Sequence, residues 1–531
     1  MGRNLIGRDI HKAKITFSFY VKINLYINAF LGKIKLMETN NETRVWSEQQ
    51  LPIFAEFKNG RRNFIVEARA GTGKTTTIQH GISLAPEAKK VYLAFNKKNV
   101  LEAQGKITDK SCQVMSLNGL GHRFVLRNWG SVKPDDSVET DRIIAAIKLV
   151  APKSKVPLPV VRQIISFVKN TAPFISSTAE VVQLANARCL IPANAEEDDA
   201  VIAQIVLKCL DLAKVKDRLG RISFEDQLWL PLVMKWAHPW YDLVVVDECQ
   251  DMNFTQLTLS RKACKARGRM VLVGDARQCI YGFRGADTEG MARMKIELNA
   301  VSYPLTVTYR CPQKIVDIAK KLVPDYVAHS SAPEGVVGEL AGTVLPVTAK
   351  PGDAILSRTN APLMTYCLAL IRKGVPAYIE GRDIAATLKG IHTKVASGPK
   401  KTPEEYVKAL DLWAADRIGR LVGDADSDAF KSSLQNIEDQ MLTLAALADE
   451  VSDVSEIEGK LNSIFDDSEK TGRKAVVLSS IHKSKGMEWG NVFILSKTLK
   501  GVSWSPEVNA NNNVAYVAVT RAKNTLTWVN D

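Results

Sequence analysis

The chain has 531 residues, 46 % of them hydrophobic and 24 % charged, a globular balance that excludes wholesale disorder and suggests about three or four domains. The formal net charge of +14 favours polyanionic partners, because neutralising phosphates releases counterions. Lys22 and Asn24 break the apolar run at 15–31, so no membrane span is expected, and the eight cysteines show no C-x-x-C spacing for a zinc or redox site, which fits a reducing cytoplasm.

Residues 1–36 form a basic leader, with Arg3, Arg8, Lys12, Lys14, Lys22, Lys33 and Lys35 against Asp9 alone. A start at Met37 is preferred to a targeting segment or a DNA-binding arm. The run Asn63–Ile65 leads into a Gly-rich turn and a helix start. Val91–Phe95, Leu243–Val246 and Met270–Val273 are short apolar runs that read as buried parallel strands. Helical spacing between them implies an α/β domain with helices on both faces, assigned to 37–122 and 226–290. Residues 123–225 read as a helical insertion. A second α/β domain is assigned to 291–389 and 471–531, with strands at TVTYR, DAILSR, PAYIEG, AVVLSSIH, NVFILS and TLTWV. A short helical insertion at 390–470 interrupts it. There, Thr402-Pro403-Glu404-Glu405 is a helix start, and Ile437, Met441, Leu444, Leu447 and Val451 form one helix face.

Two motifs carry chemistry. Ala68-Arg69-Ala70-Gly71-Thr72-Gly73-Lys74-Thr75 follows a strand and opens a helix. Small residues let the backbone from Ala70 to Thr76 wrap the phosphates of ATP. Lys74 would reach the β- and γ-phosphates, Thr75 would hold Mg²⁺, and the helix N-terminus adds positive potential. Asp247-Glu248-Cys249-Gln250-Asp251 ends an apolar strand. Such acids often merely cap a helix, but beside a phosphate loop Asp247 suits Mg²⁺ and Glu248 suits general-base work on water.

Together these motifs resemble the UvrD/Rep family of superfamily 1 helicases. Further stretches match it in order: Trp46–Gln50, Gly274–Ala286, Tyr309-Arg310, His482–Trp489 and Tyr516–Lys523. Phe224-Glu225-Asp226 and Ile379–Ile384 also look like family landmarks, and the chain is most similar to the short members of phages and to F-box DNA helicases. The resemblance implies two RecA-like P-loop domains, each interrupted by a mainly helical insertion. It implies that Gln49 reads adenine and Tyr309 stacks on it. Gln278 and Arg310 would sense the γ-phosphate, Gly486 would approach the triphosphate, Glu488 the ribose, and Arg521 would act as an arginine finger. Phe95, Tyr281 and Phe283 would stack on bases, with Arg284 and His482 nearby. Departures are Thr76, where the family often has Arg, the run Asn509-Ala510-Asn511-Asn512-Asn513, and the short second insertion.

The implied activity is an ATP- and Mg²⁺-dependent DNA helicase moving 3′ to 5′ on single-stranded DNA in replication, repair or recombination. Its substrates would be single-stranded and tailed or forked duplex DNA, and replication or recombination proteins are possible partners. The expected location is the cytoplasm or nucleoid, with nucleus and organelles left open. A translocase that strips proteins without unwinding uses the same residues. A non-catalytic ATP-dependent binding module is disfavoured by the intact Lys74, Glu248, Arg310 and Arg521. A helicase–nuclease is disfavoured because only about ten residues follow Arg521.

Overall fold

A computed structural model describes residues 45–154, 156–188, 190–191, 198–281, 289–421, 428–466 and 475–530. The leader, Phe283 and Arg284 lie outside the described residues. The described residues divide into two units at the boundary between Leu51 and Pro52. In the first, the Ser47 carbonyl accepts the Gln50 amide at 2.9 Å, and the Ser47 amide donates to Gln50 Oε1 at 3.0 Å. This turn, which contains Gln49, opens a helix at Gln50.

In the second unit, six strands form one parallel sheet: β1 (Phe64–Ala68), β2 (Lys90–Ala94), β3 (Cys112–Ser116), β4 (Tyr241–Val246), β5 (Cys264–Gly274) and β6 (Val301–Leu305), in the order β3-β2-β4-β5-β1-β6. The inner strands are continuous apolar runs because both faces are covered. Val91, Leu93, Val244 and Val246 pack into one core, and Phe64, Val66, Val245 and Val273 into another. Each fully buried Val or Phe contributes about 1.5–3 kcal/mol.

A seven-stranded sheet follows: β7 (Val336–Ala341), β8 (Ala354–Ser357), β9 (Ala377–Glu380), β10 (Phe465–Asp466), β11 (Val476–Ser480), β12 (Trp489–Leu495) and β13 (Ala522–Asn530). Its order is β7-β13-β12-β8-β11-β9-β10, and every ladder among the described residues is parallel.

One expected boundary is displaced. Residues 301–305 were assigned with the second domain, yet β6 pairs with β1 from Phe64↔Val301 to Ala68↔Leu305. The first sheet therefore extends past 290. The TVTYR segment forms only a two-residue strand, Val307–Thr308, paired with Val327–Ala328.

Between β3 and β4 the helices Ser137–Val150, Leu158–Thr171, Thr178–Ala187 and Asp199–Ala213 share a core with residues of the flanking helices Leu117–Trp129 and Asp226–Val233. Val161, Ile164, Ile165 and Val168 give the second of them one buried face at helical spacing. Below it sits a buried charge cluster. Lys169 contacts Glu139 at 2.6 Å and Asp226 at 2.8 Å, and Arg142 contacts Asp226 at 2.5 Å. Asp226, a family landmark in the sequence, is thus fully buried and held ionised by these cations against the cost of burial.

Between β9 and β11 stand helices Arg382–Ala396, Pro403–Gly419, Asp428–Ala448 and Ile457–Ile464. Thr402 and Glu405 make a reciprocal capping box at the second. Ile437, Leu444, Leu447 and Val451 are buried and Met441 is partly so.

Candidate nucleotide and nucleic-acid site

The phosphate loop joins β1 to the helix Lys74–Leu84. Gly71 and Gly73 have φ of 71° and 78°, where an L side chain costs about 1–2 kcal/mol. A Cβ at Gly71 would also lie 2.5 Å from Arg310 Cβ and 2.6 Å from Thr308 Oγ1. Ala70 donates its amide to the Tyr516 hydroxyl at 3.0 Å and accepts from the Tyr326 hydroxyl at 2.9 Å. The Gly71 carbonyl accepts the Tyr309 amide at 2.9 Å. Arg69 pairs with Asp275 at 3.0 Å and Asp325 at 2.9 Å. Residues far along the chain, from Asp275 to Tyr516, therefore grip one loop. Thr72 is buried, with its hydroxyl on the Arg69 carbonyl, and Thr75 and Thr76 are half-buried in the first helical turn.

The adjacent strand β4 delivers the carboxylates at its C-terminal end. Lys74 Nζ lies 2.5 Å from Glu248 Oε1. Asp247 accepts the Tyr92 hydroxyl and, at 2.9 Å, the Glu248 amide. Glu248 has φ 53°, a left-handed conformation rare outside glycine. Gln250 donates to Glu248 Oε2 at 2.6 Å and accepts the Asp275 amide at 3.0 Å. Gln278 donates to Asp275 Oδ2 at 2.9 Å. Burial disfavours the Glu248 carboxylate, but Lys74 and Lys485 outweigh it and bring its pKa to about 2. Asp247 moves the other way, raised by burial and by Glu248 while Lys74 opposes. Lys74 is raised despite burial, because Glu248 and Asp247 favour its charge.

No group of three or more His, Cys, Asp or Glu able to hold a metal occurs among the described residues. The hydroxyl of Thr75 and the carboxylate of Asp247 are hard oxygen donors. They fit Mg²⁺, which takes one or two protein oxygens and completes its shell with water and phosphate.

On the far side, Arg310 pairs with Glu488 at 2.6 Å and reaches the Thr520 carbonyl at 3.4 Å. Glu488 also meets Lys523 at 3.3 Å. Tyr309 is half-exposed, its ring 4.7 Å from that of His329. Gly486 turns the chain with φ 85°. Arg521 is buried, and its guanidinium donates to the carbonyls of Val517 at 2.8 Å and Met487 at 3.0 Å and to Thr520 Oγ1 at 3.0 Å. Burial and neighbouring Arg310 lower its pKa to about 10. Among the described residues it makes no hydrogen bond to the loop, so the structure brings Arg310, but not Arg521, against Gly71.

Phe95 and Tyr281 present near-parallel rings, 11° apart in plane with centroids at 6.4 Å. His482 lies 6.3 Å beyond Tyr281, and its carbonyl accepts the Tyr281 hydroxyl at 2.8 Å. Arg358 stands 2.8 Å from His482 Nε2.

Sequence reasoning left several partners without a role. Lys485 reaches Asp251 at 2.6 Å and the Gln278 carbonyl at 2.5 Å, and lies 5.3 Å from the Tyr281 ring centroid. Asn513 donates to the Cys279 carbonyl at 3.0 Å. Arg69, Tyr92, Gln250 and Tyr516 also serve the site. Asn513 falls in the run noted as a departure, and Tyr92 sits in a strand that reads only as core.

The UvrD/REP helicase N-terminal domain matches residues 175–299, and the UvrD-like helicase C-terminal domain matches 425–530. F-box DNA helicase protein 1 of Schizosaccharomyces pombe is 25 % identical over 92 % of this chain and 57 % of its own length. ATP-dependent DNA helicase UvrD2 of Mycobacterium tuberculosis is 23 % identical over 86 % of this chain and 75 % of its own. DNA helicase II of Escherichia coli is 31 % identical over 20 % of this chain and 16 % of its own. The chain spans 57 % of the fission-yeast protein and 41 % of a Mycoplasma genitalium DNA helicase II homologue. The chain thus carries, in order, the N-terminal and C-terminal domains of UvrD/Rep-like superfamily 1 helicases.

Proposed function

We propose that the protein is an ATP-dependent DNA helicase that translocates 3′ to 5′ on single-stranded DNA. The observation that carries this reading is Gly71 packed against Thr308 and Arg310 beside the Lys74–Glu248 pair. A phosphate loop covered by residues lying 237 and 239 positions away suits a nucleotide that opens and closes a cleft.

In this reading the γ-phosphate takes Lys74 from Glu248. The freed carboxylate regains basicity and, oriented by Gln250, accepts a proton from the attacking water. Gln278 and Arg310 face the transferred group. Arg521 leaves its carbonyl partners to join them, and Tyr309 stacks on adenine. Glu488, paired with Arg310, reaches the ribose only as that pair opens. Mg²⁺ held by Thr75 and Asp247 would neutralise charge on the β- and γ-phosphates. Phosphoryl transfer asks mainly for such positioning and charge.

Single-stranded DNA would cross the strand ends at Phe95, Tyr281 and His482. The Phe95–Tyr281 spacing is close to twice the ~3.4 Å rise between stacked bases, so a base could enter with little opening. Lys485 ties this row to Asp251 and so links base contact to the carboxylate segment.

Strand displacement on duplexes with a 3′ or a 5′ single-stranded tail tests the proposal. Unwinding of the 3′-tailed duplex with ATP and Mg²⁺ is expected. Unwinding only from a 5′ tail contradicts the polarity. ATP-driven movement without unwinding would leave a protein-stripping translocase.

A further inference from the structure

The nucleotide site occupies the C-terminal ends of β1, β4 and β5. At the opposite end of β5, about 30 Å away along an 11-residue strand, a second pocket opens between the helices Phe254–Ala263 and Gly290–Glu297. Its volume is about 540 Å³, within the range of ligand pockets. Phe254, Met294, Pro239 and Cys264 give it an apolar lining.

The rim is cationic. Arg261 and Arg293 share one carboxylate, Glu297, at 2.8 and 3.6 Å. Arg293 also lies 4.9 Å over the Phe254 ring. Lys262 on the rim and nearby Arg267 are exposed, and neither has an ion-pair partner among the described residues. Ile296, 81 % exposed, adds apolar surface on the same helix as Arg293.

Charge sign selects the occupant. The basic leader and a second copy, at net +14, carry the wrong sign. A nucleic-acid backbone has the right sign, but it needs a line of cations rather than an apolar floor. We propose that this pocket docks an acidic segment of a partner protein. An apolar or aromatic side chain enters between Phe254 and Met294, and flanking carboxylates meet Lys262, Arg261 and Arg293. The site is independent of the helicase reading.

Fluorescence anisotropy tests it, using the full chain and a labelled hexapeptide of Asp and Glu around one central Phe. Micromolar binding is expected. It should weaken at least tenfold with Phe→Ala in the peptide, with Lys262→Glu or Thr258→Trp in the protein, and in 0.5 M salt. ATP hydrolysis by both variants should match the wild type. Lys262 is exposed, so its variant carries the test if Thr258→Trp fails to fold. No binding by the wild type, binding indifferent to Lys262→Glu, or displacement by oligo-dT from this pocket would overturn the proposal.

Discussion

Lys74 and Glu248 neutralise each other at 2.5 Å, and a phosphate group must compete for the same ammonium. Glu248→Gln removes the acceptor for the water proton. Hydrolysis should fall at least a hundredfold, within the range for losing a general base, while binding of a fluorescent ATP analogue persists. Retained turnover would move the base elsewhere. The same carboxylate sets a pH dependence. Its folded pKa of about 2 lies below the ordinary 4.5, so its contribution to stability is present above 4.5 and is lost as pH falls toward 2. The difference in thermal midpoint between wild type and Glu248→Gln should be flat above pH 5 and change as pH falls through 4. A flat difference throughout would show that Glu248 is not held ionised by Lys74 and Lys485.

At the scale of elements, the loop from Ala68 to Lys74 depends on glycine for two reasons, a positive φ and contact with Arg310. Gly71→Ala should slow hydrolysis at least tenfold by pushing Arg310 away, and steady-state turnover measures it. An unimpaired variant would mean the loop can give at no cost. Lys169→Met leaves Asp226 and Glu139 buried without their ammonium, so it should cost about 3–5 kcal/mol, seen as an earlier thermal unfolding step. An unchanged melt would show that Arg142 alone suffices.

Much of this level was legible in the sequence. The inner strands announced themselves as short apolar runs because both faces are covered. Strand β6 did not, because only Leu305 of its five residues is fully buried and Pro304 interrupts it at the sheet edge. The phosphate loop and Asp247-Glu248 were readable from local order. The Lys485–Asp251 pair was not, since its members stand 234 residues apart and no local pattern records such a meeting. Arg521 was legible as a residue but not in its orientation, which follows from carbonyls of the surrounding fold.

For the whole molecule, the account requires that nucleotide chemistry at the gripped loop and base contact at the Phe95–Tyr281 row be coupled. Tyr281 and Lys485 connect them, through Asp251 and the Gln278 carbonyl. Steady-state ATP hydrolysis with Mg²⁺, with and without single-stranded DNA, in the wild type and Glu248→Gln, tests this most directly. The account predicts hydrolysis strongly stimulated by DNA and abolished by the substitution. Hydrolysis that is absent, or indifferent to DNA, would contradict it.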